Sequence, residues 1–453
     1  MKQTLPLSQP PLGFIPPCMS PGIVRMLGVA LPWWLRTNAG IDRLEVQNSE
    51  RLLTMYHEFQ EGKVRFIMAF RHPSITDPMA LGAVLDSYLP QEARRVGRPL
   101  QRQPHTYFLY DRGIPLWAGP MVGWLLPRAG GISVQRGKLD RQSLRMTRDL
   151  LANGDQPLIV APEGGTNGLN DVLSPLEPGV AQMAFWCLED LRGKERTEKV
   201  YIVPLGLRYI FLEPPWTELG AMVSTLEEEC GLQPDTTLDR YARLARLAER
   251  LLGLLEEYYT RFYQQTLTPD ADVPMRLKNL IDAGLRVSEQ FFALKSQGEF
   301  ADRCRRIEQA SWERIYREDL KDKILSPVER GLADRIAGEA TMRVWPMRLV
   351  EGFISVSGTY VQENPTVERF AEMVNLLYIT VQRLKGSETF TPPTLGKRRA
   401  VVTVQEPILV DTRWEQYQTN RHSARAAVAD LTKDLQTSME EAMKATEPQS
   451  STP

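Results

Sequence analysis

The sequence predicts an α/β fold, a layered sheet flanked by helices, with a large all-helical block beyond it. Three observations predict this. Through residues 44–209, short β-branched or aromatic runs alternate with stretches of helical periodicity. After about residue 225 the strand signals stop and apolar residues recur at three-four spacing. Near the end, Ala400 to Val410 returns to a valine-rich run before one last helical stretch.

Taken in order, residues 1 to about 12 read as unstructured. Leu44 to Val46 is a short strand, Glu50 to Glu61 a helix and Val64 to Phe70 a strand. Asp77 to Leu89 is a helix with Pro78 in its first turn, where a missing N–H is tolerated. Gln91 to Arg102 is arginine-rich and loop-like, Thr106 to Tyr110 a strand, and Gly113 to Pro127 an uncharged stretch broken by Gly and Pro. Gly131 to Arg136 is a strand, Leu139 to Asn153 a helix stopped by Gly154, and Pro157 to Val160 a buried strand. Val180 to Leu191 is helical and Val200 to Tyr209 a strand. In the helical block, Tyr241, Leu244, Ala248, Leu251, Leu255 and Tyr258 form an apolar seam. Val273 to Lys295, Ala301 to Arg317, Pro327 to Arg343 and Asn364 to Lys385 continue in that style, as a bundle of about five segments. The last helix runs from about Ser423 to Lys444, before a polar tail.

The chain's 453 residues are enough for two or three domains, and 42% hydrophobic content supports a sizeable core. A formal net charge of -1 gives no whole-chain attraction to nucleic acid, which is not an expected partner, or to anionic lipid. The cysteines, Cys18, Cys187, Cys230 and Cys304, are scattered, and no His stands at metal-ligand spacing. A reducing compartment, no metal and no bound cofactor are therefore expected. No run reaches the roughly 18 apolar residues of a membrane-spanning helix, and the Pro-rich start does not read as a secretory signal. Met26 to Leu35, with Trp33 and Trp34 between Arg25 and Arg36, and Gly113 to Pro127 suit the lipid interface; ordinary core packing explains both about as well.

Ligands of open α/β sheets bind off the carboxyl ends of the strands, and His72, Arg136 and Glu163 each follow a strand. His72 and Asp77 lie five residues apart, roughly 140° around a regular helix, so they cannot meet on one. They meet if His72 ends the strand and Asp77 sits in the first turn of the next helix, pointing back. An Asp on one ring nitrogen leaves the other as a base. The competing reading is that Ser74-x-x-Asp77 caps a helix start. Glu163, in the turn Pro162-Glu163-Gly164-Gly165-Thr166-Asn167, either orients a substrate hydroxyl or organises the turn by accepting backbone N–H bonds. Arg136, with Lys138 and Arg141 nearby, suits a phosphate or is a solvated surface residue, and Arg112 and Arg128 are weaker candidates. His57, although followed by Glu58, has no partner His and reads as a helix-surface residue; His105 and His422 have no local acid at a telling spacing, and there is no Gly-x-Ser-x-Gly, phosphate-loop, dinucleotide or His-Glu-x-x-His motif.

In this order, four blocks resemble the glycerolipid acyltransferase family typified by lysophosphatidic acid acyltransferases. They are His72-Pro73-Ser74-Ile75-Thr76-Asp77, Gly131-Ile132-Ser133-Val134-Gln135-Arg136, Pro162-Glu163-Gly164-Gly165-Thr166-Asn167 and Val203-Pro204-Leu205-Gly206. The resemblance implies that His72 and Asp77 are catalytic, His72 as general base and Asp77 orienting it, with direct attack and no acyl-enzyme. It implies that Arg136 binds the acceptor's phosphate, that Glu163, Gly164, Gly165 and Thr166 form the acceptor side, and that the fourth block shapes the pocket near the acyl donor. The family's third block usually reads Glu-Gly-Thr-Arg; here Gly165 is extra and Asn167 replaces the arginine. Arg136, Lys138 or Arg208 then compensates, or the head group is not a bare phosphomonoester. The family's last strand resembles Val402 to Ile408, displaced by the helical block. This implies a layered mixed sheet with a large all-helical insertion, and a discontinuous catalytic domain: residues 13–225 and 396–445, around an insertion at 226–395, with 446–453 a disordered tail.

The expected function is transfer of a fatty acyl group from acyl carrier protein or coenzyme A to a glycerol hydroxyl of lysophosphatidic acid or a related lysophospholipid, in phospholipid biosynthesis. The expected place is the cytoplasmic side of a membrane, peripheral or monotopic, with the bilayer surface, lysophospholipid and acyl donor as partners. The alternative is a catalytically silent lipid-binding or interaction protein on the same fold.

Overall fold

Strand Val64–Phe70 shows why the sheet forms where it does. Phe66, Met68 and Phe70 pack into one apolar cluster while Ile67 and Ala69 pack into another, so successive side chains serve opposite faces. A strand buried on both faces reads as a continuous apolar run, as this one does. The structure, a computed structural model, describes residues 7–135, 140–268, 270–321, 325–387 and 391–445.

In chain order, α1 (Pro21–Asn38), β1 (Ile41–Gln47), α2 (Ser49–Gln60), β2 (Val64–Phe70) and α3 (Asp77–Ala83) come first. α3 widens into one π-helical turn, Val84–Tyr88, and continues as α4 (Leu89–Arg95). Then follow β3 (Tyr107–Asp111), α5 (Ile114–Ala118), α6 (Pro120–Arg128), β4 (Gly131–Val134), α7 (Arg141–Asn153), β5 (Leu158–Val160), α8 (Gly179–Gly193) and β6 (Lys199–Phe211). Helices α9 (Trp216–Glu229), α10 (Arg240–Tyr263), α11 (Val273–Phe292), α12 (Phe300–Ile315), α13 (Pro327–Val350), α14 (Tyr360–Glu363) and α15 (Val367–Leu384) make the helical block. The chain then gives β7 (Arg398–Val404), β8 (Ile408–Leu409), α16 (Trp414–Thr419) and α17 (Arg421–Ala445).

The sheet is mixed and eight-stranded, in the order β1-β7-β6-β2-β5-β3-β4, with β8 also on β6. β2 runs parallel to both β5 and β6, whereas β7 runs antiparallel to β6 and parallel to β1. The valine run after the helical block therefore enters the sheet, and it splits into β7 and β8 around Pro407, which has no N–H to give a ladder. Leu35, Leu52, Tyr56 and Leu81 of α1, α2 and α3 cover one face; Phe185, Leu188, Leu431 and Leu435 of α8 and α17 cover the other.

The chain divides into two compact units. The sheet unit takes in the described residues of Phe14–Val134, Asp140–Pro214 and Gly396–Pro453; the helical unit takes in those of Met1–Gly13, Gln135–Leu139 and Pro215–Leu395. The helical unit begins with α9, ahead of the position 226 expected for it, because α9 packs on α10 and α15.

Four local expectations are corrected or made specific. Gln91 to Arg102 begins in helix α4 rather than in a loop, since Pro90 fits a first helical turn. The apolar stretch from Gly113 forms α5 and α6, separated at Gly119, whose φ of 92° only glycine adopts readily. Residues 7–13 are tied to the helical unit: Gln9 donates to Ile315 O at 2.8 Å and Ser8 bonds Asp334 at 2.8 Å. In α10 the buried seam falls on Leu247 and Tyr259 rather than Ala248 and Tyr258. The expected tail at 446–453 lies outside the described residues.

Candidate active site

The site is built at the end of β2. The β2–β6 ladder runs one residue past the strand, Arg71 N–H donating to Leu205 O at 3.0 Å, and the chain then leaves the sheet at His72. Its backbone N–H is held by Glu163 Oε1 at 2.8 Å. Asp77 opens α3, with Pro78 behind it, and points back so that its Oδ2 lies 2.8 Å from His72 Nδ1. The two side chains meet in the strand-to-helix turn that their spacing required.

Asp77 is fully buried and accepts from several donors. Ser74 N–H donates to Oδ2 at 2.9 Å, and the Tyr209 hydroxyl donates to Oδ1 at 2.5 Å. Burial pushes the Asp77 carboxyl up from its ordinary range, and His72, Tyr209 and Ser74 pull against that. The helix-start reading of Asp77 is thus half right: it does organise the turn through Ser74 N–H, while also facing the imidazole. With Nδ1–H given to the carboxylate, Nε2 of His72 carries a free lone pair; it has no hydrogen-bond partner among the described residues. The ring is 17% exposed, so Nε2 can be reached from solvent.

Glu163 is buried, and its second oxygen accepts Ser174 N–H at 2.9 Å. Each oxygen thus accepts a backbone N–H, as the turn-organising reading of Glu163 requires. Gly164 takes a φ of 73°, and a Cβ there would run into Glu177 Oε1. Gly164 and Gly165 are half-exposed and Thr166 is exposed.

Asn167 is stitched into the same loop, donating to Val172 O at 2.6 Å and to Ser174 Oγ at 3.1 Å and accepting from Leu169 N–H at 3.0 Å. Arg136 and Lys138 lie outside the described residues. Arg208 is not available to stand in for an arginine at 167: it is buried and pairs with Asp171. Arg112 is likewise buried against Asp140, and Arg128 stacks on Trp124 with its guanidinium 4.4 Å from the ring centre.

Residues not singled out from sequence also build the site. Arg71, wholly buried, donates to Leu169 O at 2.5 Å, Val172 O at 2.7 Å and Leu207 O at 3.1 Å, clamping the 163–174 loop to β6. Tyr209 shares a face of β6 with Val203, Leu205 and Leu207, so strand alternation counted from Val203 would have found it. His105 has an acid after all: Asp86, remote in sequence, lies 2.6 Å from its Nδ1. Among the described residues, no group of three or more His, Cys, Asp or Glu side chains is placed to hold a metal ion.

Residues 43–208 match the acyltransferase family model. The match spans β1 to most of β6 and takes in His72, Asp77, Glu163 and the Val203 block. No curated protein matches the chain. An acyltransferase domain of this family supports an O-acyltransferase type of enzyme, with an acceptor and an acyl donor as substrates.

Proposed function

We propose that the chain transfers a fatty acyl group from an acyl thioester, carried on acyl carrier protein or coenzyme A, to a glycerol hydroxyl of lysophosphatidic acid or a related lysophospholipid. The observation that carries this reading is the 2.8 Å contact between His72 Nδ1 and a buried carboxylate, with Nε2 left open at the end of a sheet strand. His72 Nε2 takes the hydroxyl proton as the acceptor oxygen attacks the thioester carbonyl. The tetrahedral centre collapses, the C–S bond breaks, and the proton returns to the departing thiol. His72 and Asp77 are the catalytic pair, Gly164, Gly165 and Thr166 serve the acceptor side, and the role offered for Arg136 is binding of the acceptor's phosphate. No cofactor beyond the acyl donor is invoked.

A membrane surface suits such an acceptor. On α1, Met26, Val29 and Trp33 are exposed at three-four spacing between Arg25 and Arg36, and α6 exposes Met121 and Trp124 next to Arg128. Ile75, within the His72–Asp77 loop, is also exposed. Among the described residues no helix is long and apolar enough to cross a membrane, so the proposed attachment is peripheral or monotopic, on the cytoplasmic side, where phospholipid biosynthesis supplies both substrates.

The test is a panel of lysolipid acceptors and acyl donors with the detergent-solubilised full chain, read by mass spectrometry, beside His72→Ala. An acylated lysolipid is expected, with His72→Ala slower by roughly 10²- to 10⁴-fold, the usual weight of a general base. Undiminished turnover by His72→Ala would remove the His-base mechanism. Inactivity of the wild type across the panel would favour lipid binding without catalysis.

A further inference from the structure

We infer that Tyr209 is a positioning residue for the His72–Asp77 pair: its phenol fixes the carboxylate that in turn sets the imidazole. The inference rests on the proposed role of His72 as base, and it reaches one residue beyond the family match, which ends at 208.

The argument starts from β6. Phe70, the last residue of β2, is in register with Leu205, so β6 runs on past the end of its neighbour toward Phe211. Side chains alternate along it, and Leu207 and Tyr209 fall on the face that α3 covers. Tyr209 is thereby delivered above the first turn of α3, where its hydroxyl meets Asp77 Oδ1 at 2.5 Å. Its backbone is fixed independently of that contact: Asn170 accepts Tyr209 N–H at 2.8 Å and donates to Tyr209 O at 3.0 Å. Thr76 Oγ1 donates to the phenol oxygen at 3.3 Å, which turns the phenol proton toward the carboxylate.

The carboxylate has two oxygens with separate tasks. Oδ2 receives the imidazole and Ser74 N–H, and among the described residues Tyr209 is the side-chain donor to Oδ1. A carboxylate pinned at both oxygens cannot rotate about its Cβ–Cγ bond, so Oδ2 stays in line with Nδ1. His72 and Asp77 face each other, Glu163 holds the His72 backbone, and the Arg398 guanidinium lies 5.4 Å from the Tyr209 ring centre.

The experiment uses the full chain with Tyr209→Phe, which keeps the ring and the Asn170 bonds and removes only the hydroxyl. With lysophosphatidic acid and an acyl thioester, kcat is expected to fall roughly ten- to a hundredfold, the weight of one hydrogen bond to a charged group, with KM little changed. The Tyr209 hydrogen bond favours the ionised Asp77 carboxylate, so without the phenol that carboxylate is more basic and the acid limb of the pH profile moves to higher pH. The far-downfield proton resonance of His72 Nδ1–H, assigned by its loss in His72→Asn, is expected to shift or broaden. Thr76→Val should move each readout in the same direction by less, and it decides the matter if Tyr209→Phe does not fold. A wild-type kcat, pH profile and resonance in Tyr209→Phe would overturn the inference, as would a change in KM alone. If the wild type acylates none of the acceptors, the proposed function fails while the resonance still decides whether Tyr209 positions the pair.

Discussion

Glu163 Oε1 accepts the backbone N–H of His72 at 2.8 Å, so the acidic residue of one loop holds the loop that carries the imidazole. Its other oxygen ties down Ser174 at 2.9 Å, and the carboxylate acts as a strut between two backbones. Glu163→Gln keeps one accepting oxygen and turns an NH2 group toward the other N–H. The expected result is a kcat at least about tenfold lower and a stability loss of about 1–3 kcal/mol, the cost of one buried donor left unsatisfied. A rise in the acceptor's KM with kcat intact would instead mean that Glu163 holds substrate directly. Steady-state kinetics with varied acceptor separates the two.

Gly164→Ala tests the same loop through its backbone. The positive φ disfavours any side chain, and the new methyl would collide with Glu177 Oε1, whose own backbone N–H closes the turn onto Pro162 O at 2.8 Å. We expect destabilisation of about 1–3 kcal/mol in urea melts and reduced activity, as is usual for a strained backbone position. Gly168→Ala is the control: it shares the positive φ but has nothing within 4 Å of the added carbon, so it carries only the backbone penalty and should cost less.

How much of this was legible before the structure depends on whether a contact is local. The alternation of strands and helices, and the valine run that β7 makes of residues 398–404, follow from periodicity and could be read. The His72–Asp77 meeting could be read too, because five residues and a proline dictate a strand-to-helix turn. What could not be read were contacts made across the sheet. Arg71 looks like any arginine until β6 and the 163–174 loop surround it with carbonyls. The role of Asn167 was read only as a missing arginine, since nothing in a single sequence reveals that its amide closes a loop on Val172 O. The helical unit was harder at its edges than in its middle, because α9 has the same composition whether it packs on the sheet or on α10.

The exposed face of α1 gives a prediction about lipid. Val29 is 79% exposed and Trp33 66%, so charging them costs the fold little. Val29→Glu with Trp33→Glu should leave the melting curve within about 0.5 kcal/mol, as surface changes usually do. Partitioning onto vesicles of mixed anionic and zwitterionic lipid should fall more than about tenfold, since burying one such side chain contributes about 1.5–3 kcal/mol. Sedimentation with sucrose-loaded vesicles measures it, and unchanged binding would move the membrane contact away from α1.

The pair His105–Asp86 gives a prediction about pH. Nδ1 of His105 lies 2.6 Å from Asp86 Oδ1 and Nε2 lies 2.9 Å from Ala129 O, so with Asp86 ionised both ring nitrogens face acceptors and both carry protons. Burial alone would lower the His105 pKa; the Asp86 carboxylate and the Ala129 carbonyl outweigh it and hold the ring above the ordinary value of 6.5. A group whose pKa is raised on folding contributes stability that is fully present below its unfolded pKa and is lost as pH climbs through the folded one. Urea melts should therefore show stability declining from about pH 6.5 upward. His105→Ala leaves Asp86 buried with its partner gone, which costs about 3–5 kcal/mol near pH 6 and flattens that decline. The site at His72 is a separate dyad, so any activity that His105→Ala retains should keep the wild-type pH profile, and a profile that moved with stability would mean that the two histidines are coupled.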